Sequence, residues 1–261
     1  MRKIGYVVTG LAAVGALLIG ARATGADEER SACRDVPSHA TLRAALEAAR
    51  AQPNGGFNLE MWATVVNRDG VVCAVAFTGN DRGDQWPGSR VISAQKANTA
   101  NAFSLPGLAL STANLFTATQ PGGSLFGLQH SNPVDTDVAY GGNPANNGRP
   151  NDPMVGGRIG GVNVFGGGLA LYNADGTIVG AVGVSGDSSC ADHNIAWRTR
   201  HTLNLDFVPG GVSGDAARPD NIVYDITPQP GQMPGVSASG WGHAACSAAA
   251  TGIAATLPPT R

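Results

Sequence analysis

GGVNVFGGGLALYNADGTIVGAVGVSGDSSCADHNIAWRTR, residues 160–200, carries the signals from which the fold is read. Two β-rich runs, Gly168 to Tyr172 and Thr177 to Val184, flank Asn173-Ala174-Asp175-Gly176. Asp-Gly between such runs predicts a tight hairpin, because Gly accepts φ > 0 without a Cβ clash. Gly180 and Gly183 leave parts of the second strand bare, which invites a close approach to its backbone. The corner Ser185-Gly186-Asp187 leads into a helix expected to begin near Ser189. Ser189 reads as its cap and Asp192 as the residue reaching back in a capping box, where a carboxylate also suits the positive end of the helix dipole.

The same strand, turn, strand grammar occurs upstream as Met61 to Val66, Asn67-Arg68-Asp69-Gly70 and Val71 to Phe77. Before it, Ser38 to Arg50 predicts a helix, with Leu42, Ala45, Leu46 and Ala49 on one stripe and Pro53-Asn54-Gly55-Gly56 as its stop. A further helix over Val91 to Ser104 places Ile92, Lys96, Thr99, Ala100 and Phe103 on one side. Lys96 therefore falls among residues that face the sheet. A buried ammonium is costly alone, so it requires a carboxylate or carbonyl partner, an anionic ligand, or a route outward. Asp192 is the carboxylate named for that role.

Two of these segments resemble one family. GGGLALYNADGTIVGAVGVSGDSSCADHNIAW is similar to the GlcG/HbpS-type domain, with its GG-hydrophobic strand, turn, IGAVGVSG strand and D-x-x-I-A helix start. Ile92-Ser93-Ala94-Gln95-Lys96-Ala97-Asn98-Thr99-Ala100 matches the family's K-A-x-T-A helix. The resemblance covers roughly Ser38 to His201. It implies an α+β fold, a profilin-like antiparallel sheet of about five strands with helices packed on it. It also implies haem or a related tetrapyrrole as ligand, slow oxidative haem degradation, and assembly into homo-oligomers. On this reading Lys96, Thr99, Ser185, Gly186, Asp192 and His193 are the ligand-binding candidates, and His193, beside the corner, is the candidate axial ligand to haem iron.

Composition bounds the alternatives. The chain has 261 residues, net charge −2 and only 14% charged residues against 37 Gly and 16 Pro, which argues for long ordered loops and against a helical bundle. The absence of a basic surplus leaves nucleic acid without support as a partner. Arg2 and Lys3 precede a run of apolar and small residues to Ile19, and small residues follow near 21–26, which is the pattern of a secretory signal peptide over 1–26. The run is short for a membrane span, so no integral span is expected after cleavage. The organisation then reads as a domain over 27–204, interrupted by a Gly/Pro/Asn-rich insertion at 121–161, and a C-terminal extension over 205–261 packed on it.

Export places Cys33, Cys73, Cys190 and Cys246 in an oxidising compartment, periplasmic or extracellular, where two disulfides are expected. Four cysteines allow three pairings; Cys190 with Cys246, which ties the tail to the last helix of the domain, is the preferred one.

Other chemistry is weaker. Gly183-Val184-Ser185-Gly186 lacks the second glycine of a nucleophile elbow, since Asp187 stands there. None of the five histidines pairs at i,i+4, so a helical zinc motif is absent. The competing class is an enzyme acting on a small organic acid, with Lys96 as cation and Asp192 as general base, the two candidate catalytic groups. A structural or sensory oligomer without ligand is the third reading.

Overall fold

A computed structural model describes residues 32–261, and the expected signal peptide lies outside them. Four strands form one antiparallel sheet: β1 (Trp62–Asn67), β2 (Val72–Phe77), β3 (Gly168–Tyr172) and β4 (Ile178–Ser185), in the order β2-β1-β4-β3. The two hairpins share one turn chemistry. Asn67 Oδ1 accepts the N–H groups of Asp69 and Val71, and Asn173 Oδ1 those of Asp175 and Thr177. Gly70 and Gly176 close these turns at φ +77° and +72°, which only glycine adopts freely.

Both faces of the sheet are covered. Helix α1 (His39–Arg50) buries Leu42, Leu46 and Ala49 on one face, with Ser38 as its cap. Helix α3 (Ser189–Thr202) joins it there through Ile195, Ala196 and Trp197. The opposite face receives helix α2 (Ser89–Phe103), which packs Val91, Ala94, Ala97 and Ala100 on Val66, Val75 and Ala181. Coverage on both sides explains why β1 and β2 are buried at nearly every position, with the polar Thr64 of β1 satisfied by Ser93 Oγ of α2 at 2.8 Å.

The expectation of about five strands gives way to four. Beyond β3 the chain makes a single parallel bridge, Tyr172 to Asp206, before Pro209-Gly210-Gly211 ends any strand. A separate hairpin, β5 (Ile226–Gln229) with β6 (Gln232–Ser237), stands apart from the main sheet.

The insertion is built from short turns at Leu128–Ser131, Thr136–Tyr140 and Pro144–Asn146. A buried fork-to-fork pair attaches it to α2. Arg90 Nε donates to Asp152 Oδ2 at 2.9 Å, Arg90 Nη2 to Oδ1, and Arg90 Nη1 to Ala139 O at 2.9 Å. Asp152 also accepts the N–H groups of Gly148 and Met154, so its lone pairs are filled.

The segment after α3 returns across that helix. Arg200 forms a fully buried pair with Asp220, at 2.6 and 2.9 Å, and stacks on Trp197 at 4.6 Å. Trp197 Nε1 donates to Pro258 O at 2.9 Å, near the end of helix α4 (Ala248–Ala255). Two disulfides, Cys33–Cys73 and Cys190–Cys246, complete the framework, the second being the preferred pairing. No helix among the described residues is long and apolar enough to cross a membrane.

Candidate functional site

The glycines of β3 and β4 determine how α2 meets the sheet. A Cβ at Gly183 would stand 2.0 Å from Ser93 O, and one at Gly168 would stand 2.5 Å from Lys96 O. Bare backbone at these two positions lets the helix lie directly on the strands. Gly167, at φ +115°, opens the remaining passage: a Cβ there would meet Val184 O at 2.3 Å and Lys96 Nζ at 3.2 Å. Lys96 runs through that space to the end of the sheet.

There its Nζ donates to Asp192 Oδ2 at 2.6 Å and to Val184 O at 3.0 Å. Asp192 Oδ1 accepts the N–H of Asp187 at 2.8 Å. Both side chains are buried, which pushes both groups towards their neutral forms while the pair resists. Burial raises Asp192 from the ordinary carboxylate range to about 6, against the attraction of Lys96. Burial likewise lowers Lys96 from the ordinary ammonium range.

The start of α3 differs from the expected capping box. Ser188 is the cap, accepting the Ala191 N–H at 3.3 Å, while Ser189 is the first helical residue. Asp192 is drawn to Lys96 and reaches back only as far as Asp187. Asp187 accepts three further N–H groups, from Phe57, Leu59 and Ser188, which fixes the corner.

A cleft of about 280 Å³ opens above the pair. Lys96 and Asp192 lie at its floor, Ser89, Ser185, Asp187 and Ser189 supply polar walls, and Ile92, Trp86 and Phe165 supply the apolar ones. Trp86 and Phe165 are about half exposed, at 53% and 47%. Large aromatic rings left open at a cleft mark a place where a ligand's apolar surface can lodge.

Of the six ligand-binding candidates, the cleft gathers Lys96, Ser185 and Asp192. Thr99 is turned away: its hydroxyl donates to Gln95 O and accepts the Asn163 N–H. Gly186 lies against the backbone of Glu60 and Met61. His193 is fully buried on the other side of α3, its Nε2 3.0 Å from Asn221 Oδ1 and 3.2 Å from the Ile222 nitrogen. The returning segment after α3 takes the Nε2 edge of the ring, Nδ1 is buried without a hydrogen-bond partner among the described residues, and His193 is not part of the cleft lining. Its burial lowers its pKa to about 4.

Trp86, Ser89, Phe165, Asp187 and Ser189 are cleft residues that sequence patterning left out. Sequence patterning also left out His243, which stands behind the cleft wall and reaches Ser189 Oγ from the C-terminal segment at 2.8 Å. The only signal for it was its nearness to Cys246.

The family model described as "Haem degrading protein HbpS-like" matches residues 38–200, more than half of the chain. The chain belongs to this family. Similar solved structures are a PduOC:heme complex, at 24% identity and TM-score 0.43, covering 63% of this chain and 91% of that one. A Klebsiella pneumoniae protein, ORFY, also has 24% identity and TM-score 0.43, covering 64% and 90%. HbpS itself has 16% identity and TM-score 0.38, covering 63% and 86%. These TM-scores add no argument to the family assignment. No curated protein matches the chain. The HbpS-like match ends at residue 200, so the segment that brings His243 to Ser189 lies past the matched region.

Proposed function

We propose that this HbpS-like chain is an exported protein that binds haem, or a related tetrapyrrole, at the cleft above Lys96 and Asp192, and degrades it slowly by oxidation. The observation that carries this reading is the family match over residues 38–200. Cleft chemistry supports it. Trp86 and Phe165 present faces to a flat apolar ring system, and Lys96 provides positive charge for an acidic side group once Asp192 yields it.

The residues fit the organic part of haem, held by one edge. A cleft of about 280 Å³ sits at the lower bound of roughly 300–1,000 Å³ for small-molecule pockets, so most of a macrocycle would lie over Trp86 and Phe165. Haem, when bound, supplies the redox-active iron for degradation; this chain's own residues supply the platform and the charge. Export is supported by the two disulfides and the leader pattern. Homo-oligomer formation belongs to the same proposal, with exposed Phe126 and Tyr140 of the insertion as contacts.

Titration of the oxidised protein with haemin tests the reading. A shifted, saturable Soret band is expected, weakened about tenfold or more by Trp86→Ala; an unshifted band at stoichiometric protein would refute it. One observation favours a second reading, an enzyme for a small organic acid. Lys96 and Asp192 place a cation beside a carboxylate raised to about 6, a pairing suited to proton abstraction next to a bound anion. Turnover of a 2-hydroxy acid, lost in Lys96→Met with the fold intact, would establish it.

A further inference from the structure

Ser189 is the part of the cleft wall that haem binding leaves unused. Its Oγ lies 2.8 Å from His243 Nε2, and the surrounding acceptors assign the protons. His243 Nδ1 is 2.7 Å from Ala244 O, and a carbonyl can only accept. Nδ1 therefore carries the hydrogen, and Nε2 of the neutral ring is a lone pair aimed at the serine. The Gly166 N–H donates to Ser189 Oγ at 2.7 Å, which leaves the hydroxyl's own hydrogen for Nε2. Burial lowers His243 to about 4, so the ring is in its base form throughout the neutral range.

The two residues are held in register. The Cys190–Cys246 disulfide joins the residue after Ser189 to the segment that carries His243. Phe116 packs on the imidazole at 4.5 Å between centroids. Ser189 opens a helix of 14 residues, so the positive end of the helix dipole adjoins its Oγ. Ser189 lines the cleft together with Phe165 and Trp86. Ser185, the serine singled out in the sequence, is buried at 4% exposure and hydrogen-bonds no histidine among the described residues.

We propose that Ser189 is a nucleophile and His243 its general base, taking the acyl group of an uncharged ester whose apolar acyl part lodges against Ile92, Phe165 and Trp86. Ser189 Oγ attacks the acyl carbon as its O–H bond breaks, and the proton passes to His243 Nε2. The bond from the acyl carbon to the alcohol oxygen then breaks, and the alcohol leaves with the proton from Nε2. Water repeats the sequence on the acyl-serine, giving up a proton to Nε2 and releasing the acid and free Ser189. An imidazole of low basicity favours esters with good leaving groups.

Incubating the oxidised protein with an alkyl fluorophosphonate, and separately with p-nitrophenyl butyrate, tests this. An intact-mass adduct is expected, located by peptide mass spectrometry on Ser189 and absent in Ser189→Ala. His243→Gln is expected to slow labelling and p-nitrophenol release on the order of 100-fold or more. Should Ser189→Ala fail to fold, the labelled peptide of the unmodified chain decides alone. No adduct, an adduct on another residue, or an unchanged rate in a folded His243→Gln would overturn the proposal.

Discussion

Neutralising one member of the Lys96–Asp192 pair leaves the other charged in the interior, beside Val184 O and the Asp187 N–H. Asp192→Asn or Lys96→Met alone is expected to cost about 3–5 kcal/mol, and the double variant less than the sum, read from urea unfolding midpoints. The buried histidines set the response to acid. His193 and His243 have folded values of about 4 against an ordinary 6.5, so unfolding takes up protons between those values. Their contribution is complete above pH 6.5 and is lost as pH falls towards 4. Each histidine is expected to contribute a fall of about 1.4 kcal/mol per pH unit between pH 6 and 4, so His193→Gln should reduce the slope by that amount, read from urea unfolding at stepped pH. The Lys96–Asp192 pairing was legible in the sequence as one of the ways a lysine on a sheet-facing stripe can be satisfied, and Val184 O supplies the carbonyl that was the other. The role of Ser189 was misread as a cap because the competing claim on its hydroxyl comes from a residue 54 positions away.

Hairpins and helices were legible wherever the signal is local. Asn-x-Asp-Gly turns, the Leu42–Ala49 stripe and the glycine-bearing strand all depend on neighbours within a few residues. The missing fifth strand and the buried His193 depend on where a distant segment returns, which no period records. The insertion shows the same limit. Its polar, Gly-rich composition hides a pair as buried as any core contact, Arg90 with Asp152. Asp152→Ala would leave Arg90 unpaired at 4% exposure. A loss of about 3–5 kcal/mol is expected, together with new protease cleavage within residues 121–161, visible by limited digestion and mass spectrometry.

At the scale of the molecule the disulfides tie distant ends of the chain to the sheet and to α3. They join residues separated by 40 and 56 positions, for which chain-entropy arguments give about 4 kcal/mol each. Paired Cys190→Ala and Cys246→Ala substitutions are expected to lower stability by about that amount and to free the segment that carries His243, which hydrogen exchange would report. That segment has a consequence in the order of synthesis. Floor, aromatic walls and Ser189 all lie before residue 200, whereas the imidazole comes from residue 243, 54 positions after the serine. On the proposed mechanism, a chain not yet extended past residue 246, or one with Cys190 and Cys246 still reduced, carries an unarmed serine.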